Sequence, residues 1–478
     1  MSFLAYDIGF LVLFAITVGI LLYKNRKGVK KEGLMLLYRT SWGIKLIEHI
    51  GKKYKKLLDV LSYVSVTVGY LLMAGIIYLF GKLVWTYVFH ADIVRAIKVP
   101  PIMPLVPYIP QMFKLDYLPP FYFTYWILII AIIAITHEFA HGIFAARVKV
   151  KIKNTGFGFF PFFLPVFLAA FVEPDEKEMT KKKPFDQLAI LSAGTFANIL
   201  TSILFLFALW GFFFVAFAPS GIVFNTYAQA IVNVSFIDSV NNLSFNENSS
   251  YQGLLDAVNT SNKPLSEIKV QNNTYLVNYD MLLSQKENEG LIVVYQDSPA
   301  IRSDLESVIF KINNVKVDSY EKLSEELLKY SPGEKVTLTV LGNDNEPYNK
   351  DIILGTNPEN STKSWIGVGF LDYQPTTLMQ KIYEATSFRK PYLYYSPRLG
   401  EFSVFVYNLL WWIIIVSLSA ALMNMLPVGL FDGGRFFYLT ILAITKKEKT
   451  AKKAFAFLTY LFLALLAIIM FFWFIAFK

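Results

Sequence analysis

Six apolar stretches, each long enough to cross a bilayer, constrain this chain more than any other feature of it. They cover residues 3–23, 60–88, 121–146, 188–217, 402–426 and 454–477. A spanning helix needs about 20 predominantly apolar residues. Inside lipid only a helix or a closed barrel satisfies its own backbone. With 55% hydrophobic residues, the chain reads as a polytopic α-helical membrane protein of about six transmembrane helices. The net charge of +9 resides largely in loops beside the spans, so it reads as membrane topology and gives no sign of nucleic-acid binding. Residues 24–56, 147–183 and 435–453 are rich in Lys and Arg, whereas 89–120 carries only Arg95, Lys98 and Lys114. Positive-inside sorting then puts both chain ends and residues 219–400 outside, in a protein integral to the plasma membrane. The first span has no basic residue before it and no small-residue cleavage signature, which marks it as a retained helix. Six N-x-[ST] sequons, at Asn233, Asn242, Asn248, Asn259, Asn272 and Asn360, all fall in the outside segment. That segment is also Asn- and Ser-rich, which by itself accumulates sequons.

The third span ends in His137-Glu138-Phe139-Ala140-His141. On a helix this spacing puts two imidazoles on one face, about 6 Å apart along the axis. Both can reach one Zn²⁺ at about 2.0–2.1 Å, and the Glu beside the first His is placed to activate water. Lone buried histidines are usually structural. Here, however, two of only four His flank a Glu at ligand spacing, at a depth where ionisable groups are costly and mark function. The chain has no Cys, so any zinc must use His and carboxylate. A catalytic zinc takes three protein ligands and leaves one position open.

Asp432 is the candidate third ligand. It follows the fifth span in Asn424-Met425-Leu426-Pro427-Val428-Gly429-Leu430-Phe431-Asp432-Gly433-Gly434. Pro427 and Gly429 break the helix, and the glycine pair permits close backbone approach. Broken helices at membrane depth line sites or cavities; the alternative is an exposed turn after a helix end.

The two motifs together resemble the site-2 protease family of intramembrane zinc metalloproteases, whose pattern is H-E-x-x-H followed by N-x-x-P-x-x-x-x-D-G. The resemblance covers residues 121–217 and 402–445. It implies that His137, His141 and Asp432 bind one zinc and that Glu138 is the catalytic base. The segment Ala193-Gly194-Thr195-Phe196-Ala197-Asn198 is similar to the family's G-P-x-x-N, with Thr195 in place of proline. Asn198 and Asn424 are candidates to hold substrate backbone or donate to an oxyanion; an interhelical amide bond is the alternative. Residues 154–174 are apolar but interrupted by Gly156, Gly158, Pro161 and Pro165. They match the family's membrane-associated β-hairpin, whose edge could pair with an unwound substrate, or form an interfacial loop.

Composition shifts at Pro219. Residues 290–300, 308–317 and 320–341 resemble a PDZ domain, with the usual A-G-L-x-x-G-D piece replaced by residues 302–306. Residues 221–288 read as an insertion, a permuted strand or a second module. Residues 43–60 have helical apolar spacing with Lys opposite, as in a helix lying on the cytosolic membrane face.

The expected organisation is an N-terminal two-helix region (1–120), a first core part with the H-E-x-x-H helix, re-entrant hairpin and next helix (121–218), and an inserted α+β extracytoplasmic region with a PDZ-like domain over about 288–371 (219–400). A second core part with the last transmembrane helix follows (401–478). The expected function is hydrolysis of peptide bonds in membrane-spanning protein substrates within the lipid bilayer, near its cytosolic side. The PDZ-like domain would filter entry by binding a peptide ligand. The alternative is a catalytically silent scaffold that captures peptides through that domain.

Overall fold

The computed structural model describes residues 3–26, 29–32, 35–97, 100–115, 118–159, 168–245, 250–261, 263–285, 290–342, 346–370, 381 and 387–476. Pro161 and Pro165 of the expected hairpin and the sequon at Asn248 lie outside them. The chain divides into two units, Met1–Phe213 with Val404–Lys478, and Phe214–Ser403.

The first unit holds the six apolar helices: α1 (Phe3–Lys24), α3 (Lys55–Phe89), α4 (Phe123–Arg147), α5 (Pro184–Ala216), α6 (Glu401–Asn424) and α8 (Glu448–Ala476), each long and apolar enough to cross a membrane. It also contains α2 (Ile44–Lys53) and α7 (Asp432–Thr445), with short helices at Ala91–Ile97, Ile109–Met112 and Glu176–Met179. The chain is an integral membrane protein.

Polar pairs pin the helices together where apolar packing alone is unspecific. Arg147, at the end of α4 with its side chain 3% exposed, bonds Asp59 of α3 at 3.1 Å and Asp186 of α5 at 2.7 Å. The hydroxyls of Ser65 on α3 and Ser192 on α5 are 2.8 Å apart. Asp7 of α1, buried, accepts the Phe123 and Thr124 amides at 2.8 and 2.9 Å. It thereby caps α4, whose own N-cap residue Tyr122 makes no side-chain cap bond.

Four antiparallel strands form one sheet in the order β1 (Val29–Glu32), β2 (Met35–Thr40), β3 (Ile152–Phe159) and β4 (Leu168–Pro174). The expected hairpin is the β3–β4 half of it. Strand β2 extends it on the other side, from Leu36↔Phe159 to Thr40↔Thr155, and among the described residues β4 is an edge. The amphipathic stretch expected on the membrane surface breaks at Tyr54. Its first half, α2, packs on α4: Ile47 is fully buried, and its side chain lies against Gly142.

The second unit contains two six-stranded sheets. The first runs Gln229–Asn233, Leu291–Gln296, Asn273–Val277, Ser266–Val270, Ile237–Val240, Leu243–Ser244, and buries Leu254 and Val258 of helix Tyr251–Ser261. The second runs Pro347–Ile353, Lys335–Leu341, Val308–Ile312, Phe217–Val223, Leu393–Pro397, with Val315–Lys316 paired to Val308–Ile312. This corrects the expected boundary at 288. Leu291–Gln296, read as the opening strand of the PDZ-like unit, pairs Ile292 with Val232 and Val294 with Ala230. Its inward residues Ile292 and Val294 fill the first core. The place beside Val308–Ile312 is taken by Phe217–Val223, a strand from far earlier in the chain, so residues 221–288 supply both a permuted strand and most of a separate module.

Candidate metal centre

Helix α4 presents His137 and His141 one turn apart, and α7 opens on Asp432. The break between α6 and α7 delivers that carboxylate. A Cβ on Gly433 would stand 2.4 Å from the Met425 carbonyl, and one on Gly434 2.4 Å from the Val428 carbonyl. Only glycine lets α7 start against the backbone of the turn that precedes it. The three donor atoms converge: His137 Nε2 and His141 Nε2 are 3.1 Å apart, and Asp432 Oδ2 lies 3.4 and 3.2 Å from them.

Around these atoms α5 forms a backing. Ile190, Gly194 and Asn198 recur every four residues and so share one face of the helix. The Ile190 carbonyl lies 2.7 Å from His141 Nδ1. A carbonyl only accepts, so Nδ1 carries the hydrogen and a neutral imidazole leaves Nε2 bare, aimed at the other two donors. At Gly194 a Cβ would fall 2.4 Å from His141 Nε2 and 2.6 Å from His137 Cε1. The glycine is what lets α5 close over both rings. The buried Asn198 amide reaches His137, with Nδ2 3.1 Å from Nδ1 and Oδ1 without a partner among the described residues.

This donor set fits a tetrahedral metal. Ligands held at about 2.0–2.1 Å around a tetrahedral centre stand about 3.3 Å from one another, close to the 3.1, 3.2 and 3.4 Å found. Three lone-pair donors facing one point repel unless a cation sits among them. Ligation through His137 Nε2 requires hydrogen on its Nδ1, and then the orphaned Oδ1 of Asn198 is the acceptor it needs, by a half-turn of the amide. Partners of this kind fix the tautomer of metal-bound imidazoles.

Glu138 points to the sheet. The Val172 amide of edge strand β4 donates to its Oε2 at 3.0 Å, so the unpaired side of β4 faces this carboxylate. His137, Glu138, Asn198, Asn424 and Asp432 all line one cavity of about 360 Å³. Five of the six site residues expected from the sequence therefore line one cavity, and the sixth, His141, joins them through its Nε2 beside His137 and Asp432. Asn424 lines the cavity from the end of α6, while Asn198 touches the imidazole of His137. The Ile190 carbonyl and the Val172 amide had no role in the sequence reading, and Gly194 entered it only within the segment similar to G-P-x-x-N. The four-residue spacing on α5 was the further signal available for residues 190 and 194.

Comparison with known proteins agrees with this geometry. The description "Peptidase family M50" matches residues 125–343 and 374–469, well over half of the chain and including every residue of the cluster. Uncharacterized protein MJ0971 of Methanocaldococcus jannaschii is 28% identical over 199 residues, 40% of this chain and 48% of that protein. The match spans about half the length of that curated relative. An H-E-x-x-H helix and a later D-G turn, brought to one point among apolar helices, belong to this family's chemistry, and the chain is a member of peptidase family M50, the site-2 protease family of membrane metallopeptidases.

Proposed function

We propose that the protein is an intramembrane zinc metalloprotease that cleaves the transmembrane helices of membrane-anchored substrates. The observation that carries this reading is the convergence of His137, His141 and Asp432 donor atoms, with Glu138 beside them and an open strand edge against Glu138. His137, His141 and Asp432 would hold one zinc ion, which when bound supplies Lewis-acid polarisation and acidifies water.

The chain's own groups do the rest. Val172 holds Glu138 through Oε2, fixing the direction in which the carboxylate presents its free lone pairs. Glu138 takes a proton from the attacking water as the new C–O bond forms. It then gives that proton to the leaving amine nitrogen as the C–N bond breaks. Products are one carboxylate and one amine, and Glu138 is restored. A helical substrate hides its carbonyls in its own hydrogen bonds, so it must unwind. The free edge of β4 offers the unwound segment a strand partner. Asn198 positions His137, and Asn424 is placed to meet substrate backbone in the same cavity.

The basic loops support an active site near the cytosolic face of the plasma membrane, with residues 219–400 outside. In that region a groove of about 640 Å³ runs between helix Tyr320–Leu327 and residues 366–370. In our reading it accepts an extended peptide from a substrate and so filters entry, as PDZ-type domains do.

The test is cleavage of a panel of single-span substrates in detergent micelles by wild type and Glu138→Gln, with and without a zinc chelator. Chelator-sensitive cleavage that falls at least about 100-fold in the variant, with zinc still bound, is the expected result. Zinc binding and peptide capture without cleavage by the wild type would establish a scaffold instead.

A further inference from the structure

Besides its polar groups, the cavity at the candidate metal centre has apolar walls, which include Ile130 and Ile133 of α4, Val416 and Ala420 of α6, and Leu105. Leu105 comes from neither helix. It belongs to Pro100-Pro101-Ile102-Met103-Pro104-Leu105-Val106-Pro107, in the loop between α3 and α4, and the family match begins only at residue 125. We propose that this proline-rich loop is the fixed outer wall of the cleavage cavity and that Leu105 sets the size of the apolar substrate side chain accepted beside the scissile bond. The proposal rests on the proteolytic reading above and names a specificity residue for it.

The loop is built to stay in place. Four prolines in eight residues restrict its backbone. The Val106 amide donates to the Pro104 carbonyl at 2.8 Å, a tight turn centred on Leu105 that projects its side chain. The Leu105 carbonyl accepts from the indole nitrogen of Trp126 at 2.9 Å, and Trp126 is itself buried on α4. Three residues on, Tyr108 is tied twice. Its amide donates to the Phe121 carbonyl at 2.7 Å, and its hydroxyl donates to Asp7 Oδ2 at 2.6 Å. Asp7 is the same carboxylate that caps α4, so one buried group holds both the catalytic helix and the loop. Burial, with Asp7 adjacent, raises the Tyr108 pKa, so the phenol stays a donor. A wall anchored at residues 105 and 108 cannot retreat from a bulky side chain, which makes Leu105 a size filter.

The experiment compares wild type, Leu105→Ala and Leu105→Trp on single-span substrates carrying Gly, Ala, Leu or Phe at each residue flanking the cleaved bond. At one flanking position Leu105→Ala should raise kcat/KM for Phe relative to Ala at least about 10-fold, the scale at which an apolar pocket discriminates size. Leu105→Trp should shift the ratio the other way. Ratios within about twofold of wild type in both active variants would overturn the proposal. A wild type with no chelator-sensitive cleavage would instead overturn the proteolytic reading.

Placement is read without turnover. The chain has no Cys, so Leu105→Cys in Glu138→Gln carries a single thiol. Adding a substrate helix should slow maleimide labelling there at least about fivefold, as steric occlusion of a cavity wall requires. Labelling of Met112→Cys, at an exposed position on the short helix that follows the loop, should be unchanged. No protection at 105, or equal protection at both, contradicts the assignment.

Discussion

Replacing Gly194 by Ala should strengthen helix α5 and weaken the metal centre, two effects of opposite sign from one methyl group. The new Cβ would lie 2.4 Å from His141 Nε2 and 2.6–2.7 Å from His137 Cε1 and Nε2, whereas ordinary contact begins at 3.4 Å. Relief requires a shift of about 1 Å of one imidazole or of α5. Metal–nitrogen distances tolerate only about ±0.2 Å, so a shift of that size removes His141 from the coordination sphere. Neither ring is free to follow, because His141 is tied to the Ile190 carbonyl and His137 to Asn198, both on the same helix as the methyl. Loss of an outer partner of a ligand typically costs 10–100-fold in metal affinity. Displacing the ligand itself should cost at least about 100-fold, or about 2.7 kcal/mol. Meanwhile Ala in place of a mid-helix Gly gains about 0.5–1 kcal/mol of helix stability. The assay is zinc titration in a chelator buffer, paired with the unfolding midpoint of the zinc-free protein. The expected result is a dissociation constant raised at least about 100-fold with a midpoint unchanged or lower, because overpacking costs about 1–3 kcal/mol and offsets the helix gain. Gly211→Ala on the same helix, where a Cβ meets nothing within 4 Å, should leave zinc affinity alone. A Gly194→Ala protein that binds zinc as the wild type does would refute the geometry.

Asp432→Ala should leave two imidazoles and weaken zinc by at least about 100-fold in the same titration, whereas a protease with a different third ligand would keep wild-type affinity. Asn198→Asp should bind zinc as well as wild type, because a carboxylate also accepts the His137 Nδ1 hydrogen; Asn198→Leu should weaken it 10–100-fold. If Asn198 served only substrate, both variants would bind zinc normally and lose cleavage together. Arg147→Met should lower stability by about 3 kcal/mol, near the low end for a broken buried ion pair. The side chain of Asp186 stays only 24% exposed, while that of Asp59 is 48% exposed and rehydrates easily. Equilibrium unfolding in mixed micelles measures this, and an unchanged midpoint would mean that the Arg147 pairs add no net stability.

The spans and the candidate metal ligands were legible in the sequence for different reasons. Each apolar run is a local quantity, and only a helix can place it in lipid, so six runs read as six helices. The ligands were legible because residue type and spacing together carry the chemistry: His at four-residue separation on one helix, and a carboxylate after a broken one. Strands β1 and β2 left no comparable mark. Val29–Glu32 reads VKKE and Met35–Thr40 reads MLLYRT, too short and too mixed for a period. What makes them strands is β3, more than 100 residues later, whose edge β2 fills while β1 pairs on the far side of β2.

The second unit shows the limit from the other side. Leu291–Gln296 was recognisable as a strand because Ile292 and Val294 alternate with outward residues, yet that alternation fits any sheet with an apolar face. Its partner is chosen by what else competes for the same edge. Phe217–Val223 pairs with Val308–Ile312 through Ile222 and Val223, and Leu393–Pro397 covers its other side. With that place filled by a strand from before the insertion, Leu291–Gln296 closes the first module against Gln229–Asn233 over five residue pairs. The same reasoning applies at the candidate metal centre. His137, Glu138, His141 and Asp432 could be named because their side chains carry the donor atoms, whereas the groups that aim them include a carbonyl at 190 beside His141, an amide at 172 on Glu138 and the absence of a side chain at 194. None of these carries a residue-type signature, since every residue has a carbonyl, nearly every residue an amide, and most glycines have no such neighbour. They act by position alone, which only the folded chain supplies.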